Sequence, residues 1–411
     1  MSRLQAFLII WAGQAVSLFG SRLAQFALIW WLTKTTESPT ILALATMVGL
    51  LPQVLLGPIV GVLVDRWSRR AIMLVADSTV ALATLVLGIL FWRDLASVPA
   101  VLAILFVRAL GDTFHWPAMY ASTSLMVPKQ HLTRIQGLNQ TLNGSLRIIA
   151  APMGALLLEL IGITGIIIVD VATAIFAIDP LLVIAIPQPE RAPSARGLAS
   201  VWHELREGLH YVRTREALLL LMGTALLANL VLTPAMSLVP ILVTSHFRGE
   251  ALQFAWLQAA MGVGTVTGGL LLSVWGGFQR RVYTTLMGVM GMGLGVTLAG
   301  LAPSGLLPVA IVALFLVGTM LPLADGPLHA ILQASVAPEM QGRVFMLLGS
   351  LASLIAPLGL LVAGPLAELF GVRFWFLTGG IFVLFVGIAS TFNRTLLSVE
   401  DVPAPSLAPA D

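Results

Sequence analysis

Nine ionisable residues stand inside long apolar stretches of this sequence: Arg22, Arg108, Asp112, His115, Arg147, Asp170, Asp179, Asp325 and His329. A charge at membrane depth costs at least about 2.5 kcal/mol on insertion scales, so each needs a partner, water or a task. Asp112 follows Arg108 by four residues and His329 follows Asp325 by four, so each pair shares a helix face. Carboxylates and imidazoles bind and release protons, and a carboxylate also draws cations. Asp325 and Asp112 are therefore the leading proton carriers, with His115 as a relay. Asp325 ranks first, because Arg108 is a fixed countercharge beside Asp112, whereas the neighbour of Asp325 is a neutral imidazole. Together with Arg22, Arg108, Trp116 and His329, these residues are expected to line a polar cavity. For Arg108 a structural role, satisfied by neighbouring carbonyls, stands equally open. For Asp170, Asp179 and Arg147 structural ion pairs are expected.

The elements that hold these residues are membrane spans. Of 411 residues, 58% are hydrophobic and 10% charged, against about 25% charged in a soluble domain. A spanning helix takes about 20 mainly apolar residues, and the chain offers twelve such stretches: roughly 5–33, 40–64, 71–92, 98–127, 134–161, 163–187, 216–245, 251–277, 282–302, 306–336, 343–369 and 374–395. The first is too long for a signal-peptide core and is read as a retained span. Between the sixth and seventh, Pro187–Arg215 opens as a Pro-rich linker. It continues with Val201, Leu205, Leu209 and Val212 on one face, as expected of an amphipathic helix on the membrane surface. Trp30, Trp31, Trp116 and Tyr120 fit interface anchoring as well as a cavity.

Two halves repeat. Gly57–Arg70 aligns with Gly268–Arg281 at an offset of 211, Pro117–Pro128 with Pro327–Pro338 at 210, and Gly144–Gly154 with Gly349–Gly359 at 205. By the second match His115 and Asp325 occupy equivalent positions and are both expected to face the cavity. Six crossings separate equivalent spans, so the halves run in the same sense, the parallel repeat that places a site near the bilayer midplane. The organisation expected is a bundle over 1–187, a linker with an amphipathic helix over 188–215, a second bundle over 216–395 and a disordered tail over 396–411.

The loop Gly61-Val-Leu-Val-Asp65-Arg66-Trp67-Ser68-Arg69-Arg70 resembles the signature of the major facilitator superfamily, whose glycine permits close helix approach and whose Asp and Arg residues form a charge network at the gate. The second copy has Gly276 opposite Asp65, so a latch would be asymmetric. Arg108 and Gly111 look like the RxxG element of the same superfamily. Gly144, Pro152 and Gly154, with Gly349, Pro357 and Gly359 in the repeat, sit where its antiporters carry a glycine- and proline-rich motif. Only the Pro and one Gly of that motif are kept, and helix packing explains these residues equally. Gly264, Gly268, Gly291 and Gly295 are read as packing residues. Trp11–Ser17, Phe114-His115 with Pro117-Ala118, Gly342–Phe345 and Pro357–Gly380 bring the resemblance to the macrolide-efflux group of bacterial drug:proton antiporters, over nearly the whole chain.

The resemblance implies an all-α polytopic fold of twelve transmembrane helices in two pseudo-symmetric six-helix bundles, a bacterial cytoplasmic membrane and proton-driven export of amphipathic drugs such as macrolides. Exporters of siderophores or other metabolites, an importer and a non-transporting sensor remain alternatives. The chain has no cysteine, which excludes disulfides and thiolate metal sites, and no GxxxxGK[ST] phosphate loop, so it is not its own ATPase. No Ser/His/Asp or metal-ligand cluster lies at a coherent depth, so neither enzyme activity nor a cofactor is expected. The expected partners are a small molecule, protons and lipid, not nucleic acid, and a monomer is expected.

Orientation follows from the basic residues. With the N-terminus inside, fifteen lie in cytoplasmic segments (Arg3, Arg66, Arg69, Arg70, Lys129, Arg134, Arg191, Arg196, Arg206, Arg213, Arg215, Arg280, Arg281, Arg343 and Arg394) and four outside (Lys34, Arg93, Arg248 and Arg373). This bias places both termini and the central loop in the cytoplasm and explains the pI near 9.8 without nucleic acid. Cysteines introduced at Ala195 and Pro405 are therefore expected to resist an impermeant thiol reagent in intact cells and to react in everted vesicles. Labelling in intact cells would reverse the topology.

Overall fold

Long apolar runs with Pro and Gly at their interruptions become helices, since only internally bonded backbone survives in hydrocarbon. The computed structural model describes residues 2–187 and 198–401, so ten residues of the expected linker and the last ten of the tail lie outside the described residues. In chain order the helices are α1 (Arg3–Thr36), α2 (Pro39–Arg66), α3 (Arg69–Trp92), α4 (Val98–Met126), α5 (Leu132–Val183), α6 (Leu198–Arg213), α7 (Glu216–Ser237), α8 (Val239–Ile241), α9 (Ala251–Trp275), α10 (Arg281–Leu301), α11 (Leu307–Ser335), α12 (Pro338–Phe370), α13 (Val372–Thr391) and α14 (Arg394–Leu397). Among the described residues no strand occurs.

Eleven of these helices are long and apolar enough to cross a membrane, and α5 accounts for the difference from twelve. Its 52 residues would reach about 78 Å if straight, at 1.5 Å per residue, more than twice the hydrocarbon thickness of about 30 Å. The chain instead breaks at Gly162, whose φ of 67° and ψ of 180° belong to a region that glycine alone adopts readily. Before the break α5 runs parallel to α1, because Trp11 meets Asn139 and Phe26 meets Gly154, both at a separation of 128 residues. After it the sense reverses, because Gly13 meets Phe176 and Gly20 meets Thr173. Gly162 thus turns a hairpin, and α5 supplies two crossings.

By internal contact the chain divides into one unit of residues 1–37 and 45–199 and another of 38–44 and 200–411. In the first unit Phe7 and Ile10 of α1 cluster with Val60 and Val64 of α2, Met73 of α3 and Leu181 of α5. In the second, Leu221 of α7, Leu286 of α10, Ile331 of α11 and Val344 of α12 cluster together. Small residues bring helices of the second unit close: a Cβ on Gly268 of α9 would stand 2.0 Å from the Thr319 carbonyl oxygen of α11, and one on Gly359 of α12 2.1 Å from that of Leu230 in α7. Such contacts replace the hydrophobic drive that lipid cannot supply. The outer face of α3 is apolar, with Val75, Leu82 and Ile89 exposed one above another.

Two expectations change. The amphipathic helix α6 does not offer its whole apolar face to a membrane surface: Val212 is buried in the second unit's core with Leu205 beside it, and the Tyr211 hydroxyl accepts a bond from Ala337 N. Apolar side chains at this spacing serve a protein groove as well as a lipid surface, and only Leu209 of the described members remains exposed. The tail is ordered to residue 401, because Leu396 and Val399 fill the same core and Glu400 accepts from Val282 N, while Asp401 pairs with Arg280. Residues 402–411 lie outside the described residues.

Candidate functional site

The polar residues of the first unit sort into a buried layer and an accessible one. In the buried layer Arg108 of α4, 8% exposed, pairs with Asp170 of α5, 3% exposed. The Arg108 guanidinium donates to Asp170 at 2.5 Å, to Thr84 Oγ1 of α3 at 2.5 Å and to the Ser21 carbonyl of α1 at 3.4 Å; the Ser21 hydroxyl donates to the other Asp170 oxygen at 2.9 Å. One charge pair thereby holds four helices. The structural reading of Asp170 is the one the geometry favours, and Arg108 turns inward to it rather than lining an accessible surface. Gly111, one turn on, makes room for the Val80 side chain of α3: a Cβ there would stand 2.4 Å from Val80 Cγ2 and 3.4 Å from the Ala76 carbonyl oxygen.

A second group, in which only His115 is fully buried, involves a residue that the spans alone place near an end. Asp77 of α3 accepts from Gln14 Nε2 of α1 at 2.7 Å and faces His115 Nε2 of α4 at 3.4 Å. His115 therefore points into its own unit, not onto an accessible face as expected. The helical face Met73, Asp77, Thr84 carries the signal, since it lies opposite the apolar stripe of Val75, Leu82 and Ile89. By the offset of 211 the second copy of Asp77 is Gly288, where α11 backbone at Leu323 and Ala324 closes in. No room is left for an inward side chain there, and the counterpart of His115, Asp325, is exposed.

The accessible layer contains Arg22, Asp112 and Arg147, all exposed and electrostatically coupled through Arg22. Arg147 and Asp179 are thus exposed rather than enclosed in ion pairs. On α4, Asp112 is followed at one-turn intervals by Trp116 and Tyr120, whose rings lie 6.0 Å apart. An anionic oxygen beside two aromatic faces is suited to a lipophilic cation. In the second unit Asp325, His329 and Gln333 form an exposed stripe on α11, and His329 lies edge-on to Phe345 at 5.7 Å. Trp30 is buried beneath Lys34, and Trp31 stacks edge-on with Phe91.

The loop arginines have defined anchors. Arg69, buried, donates to the Ala121 carbonyl at 3.1 Å, and Arg70 donates to the carbonyls of Leu181 and Leu182, in the last turn of α5 where carbonyls lack helical partners. Arg66 is exposed. A Cβ on Gly61 would meet nothing within 4 Å. The Asp65 side chain, expected to serve the latch, lies outside the described residues. Gly276, opposite it, ends α9 at φ 76°, a left-handed cap that favours glycine over an acid. Of the motif residues in α5 and α12, Gly154 packs on Phe26 and Gly359 on Leu230, Pro152 and Pro357 lie within their helices, Gly349 is open, and Gly144 is half-buried. Gly264, Gly291 and Gly295 abut Phe315, Met320 and Val317, as packing residues would.

Comparison with known proteins follows the same architecture. A family model described as Major Facilitator Superfamily matches residues 10–359. Macrolide efflux protein A of Streptococcus pyogenes is 34% identical over 383 residues, covering 93% of this chain and 94% of its own. The multidrug efflux pump Tap of Mycolicibacterium fortuitum is 27% identical, covering 94% and 95%. Among solved structures, a bacterial homologue of the human lysosomal transporter Spinster, inward-facing and unoccupied, superposes with a TM-score of 0.73 at 15% identity over 98% of this chain and 99% of its own. A bacterial homologue of the iron transporter ferroportin, inward-facing, gives 0.71 at 14% identity over 96% and 100%. At such identities these likenesses show the fold alone.

Breaking a buried pair from one side strands the other charge and costs about 3–5 kcal/mol. Asp170→Asn is therefore expected to lower the melting temperature of the detergent-solubilised protein sharply, and the double variant Arg108→Met with Asp170→Leu to recover most of the loss. Heating followed by size-exclusion chromatography measures both. An Asp170→Asn protein as stable as wild type would remove the pair's structural role.

Proposed function

This chain belongs to the Major Facilitator Superfamily, and on that premise we propose that it is a proton-coupled exporter of amphipathic small molecules, macrolides among them, working by alternating access in a bacterial cytoplasmic membrane. The observation that carries the reading is the 34% identity to Macrolide efflux protein A across 93% of the chain. The accessible Asp112, Trp116 and Tyr120 support it, since a macrolide joins a protonated amine to a broad apolar ring. Both termini are read as cytoplasmic, from the distribution of Lys and Arg.

The driving force is sufficient in principle. One proton exchanged for one monocation moves no net charge, so the pH difference drives it: one unit is worth about 1.4 kcal/mol per proton, a factor of ten in concentration. One proton exchanged for one substrate thus sustains a useful gradient without a nucleotide. Asp325 is the proposed exchange group of the second unit, where substrate and proton compete for one accessible carboxylate beside His329. Arg69 and Arg70, with Asp65, are the proposed gate-side network.

The test uses proteoliposomes loaded with a radiolabelled 14-membered macrolide. Wild type is expected to move it uphill under an imposed pH gradient. Asp325→Asn is expected to lose uphill transport while sparing downhill exchange. A wild-type protein indifferent to the pH gradient would refute proton coupling. An Asp325→Asn protein that still builds a gradient would pass the exchange role to Asp112. Transport of a siderophore but no macrolide would move the substrate class to metabolites, and no flux of either would favour a sensor.

A further inference from the structure

The first unit encloses two acid–base pairs, one buried and one with its carboxylate, Asp77, partly exposed, and only the second can change its protonation. The Arg108 guanidinium keeps its proton in proteins, and with Thr84 and Ser21 beside it the pair with Asp170 is a fixed link. His115 is an imidazole, the side chain whose charge changes between about pH 5 and 8. Its Nε2 stands 3.4 Å from Asp77 Oδ1, beyond the usual N–H···O length of about 2.7–3.2 Å. That nitrogen is buried and has no hydrogen-bond partner, while the other Asp77 oxygen is already held by Gln14 at 2.7 Å. A proton can be placed between Nε2 and Oδ1, or withdrawn, without breaking another bond.

The surroundings limit what else could titrate there. From α1 come Gln14 and, farther along, Arg22; from α4, Arg108, Asp112 and His115; from α5, Asp170, which is committed to Arg108, and Arg147, which couples to Arg22. Asp112 is exposed, lies one turn before His115, and is within electrostatic reach of both His115 and Asp77. It is the exposed carboxylate on α4 nearest in sequence to the pair. The second unit has no counterpart, because α11 fills the space beside Gly288.

We infer that Asp77 and His115 together hold the exchangeable proton of the first unit, with Gln14 orienting the carboxylate and Asp112 as the point of entry. The proton comes from water on the Asp112 side and settles on the lone pair of His115 Nε2. The imidazolium formed is paired with the Asp77 carboxylate, and the proton leaves by the same route with no other bond exchanged. This inference rests on proton coupling as proposed above, and it adds a site distinct from Asp325.

Two readouts test it. The Trp116 ring lies edge-on to His115 at 5.8 Å, so protonation of that imidazole is expected to quench it. The difference in fluorescence between wild type and Trp116→Phe should show a pH step that is absent from His115→Gln. Asp77→Asn, which removes the carboxylate facing the imidazole, should move its midpoint, and Asp77→Glu should retain it. In macrolide counterflow, which needs no gradient, wild type and Asp325→Asn should show a rate that changes several-fold between about pH 5.5 and 8. His115→Gln and Asp77→Asn should be flat across that range. A fluorescence step unmoved by Asp77→Asn, or counterflow that keeps its pH dependence in both variants, overturns the inference. If either variant fails to fold, the step in folded wild type and Asp77→Glu decides: no step, and the pair holds no exchangeable proton. Failure of wild type to use a pH gradient, with the fluorescence step present, would refute the coupled reading and leave the site standing.

Discussion

The bond between Arg108 and Asp170 is the interaction on which the first unit depends. A guanidinium in hydrocarbon has no cheap alternative state, since it neither deprotonates nor reaches the interface from the middle of a span. Its partner comes from the second crossing of α5, and the remaining hydrogen bonds reach α1 and α3. The rotation of four helices is thereby set by one requirement of satisfaction. That rotation brings Gln14, Asp77 and His115 together, because they lie on the same inward faces of α1, α3 and α4.

The second unit meets the same constraint by omission. At Gly288 it carries glycine where the first unit has the polar Asp77, so helices there close on backbone rather than on charge. Gly268, whose counterpart Gly57 is also a glycine, closes on the Thr319 carbonyl in the same way. Its ionisable residues on α11, Asp325 and His329, are left on an accessible face. Two halves that repeat each other in sequence thus divide the work: one fixes and stores charge, the other exposes it.

Much of this architecture is legible in the amino-acid sequence. Hydropathy marks the spans, and three ordered matches mark the repeat. The break between the fifth and sixth spans is visible as Ile-Gly162-Ile-Thr-Gly. What a sequence does not show is the direction in which a side chain points. Arg108 is recognisable, but its partner lies 62 residues away, and nothing local distinguishes Asp170 from Asp179, which is exposed. Asp77 reads as a residue near a span end, yet it lies on the helical face of Met73 and Thr84, where Gln14 of α1 and His115 of α4 meet it. Symmetry with Asp325 points His115 outward, and the symmetry fails where Gly288 replaces Asp77. The α6 face is apolar in the sequence, as are Leu396, Leu397 and Val399 in an otherwise polar C-terminal stretch, and only packing decides whether protein or lipid covers such side chains.

The central claim is that the charges of the first unit divide into a sealed layer and a layer that meets water at membrane depth. Single cysteines in this cysteine-free chain, reacted in lipid with a hydrophilic thiol reagent, measure it directly, because only an ionised thiolate reacts and ionisation requires water. Cysteines replacing Arg22, Asp112 and Arg147 are predicted to react at least about ten times faster than those replacing Val75 and Leu82 on the apolar face of α3. A cysteine replacing the buried Leu23 is predicted to stay unreacted. Equal rates at all these positions would contradict the account.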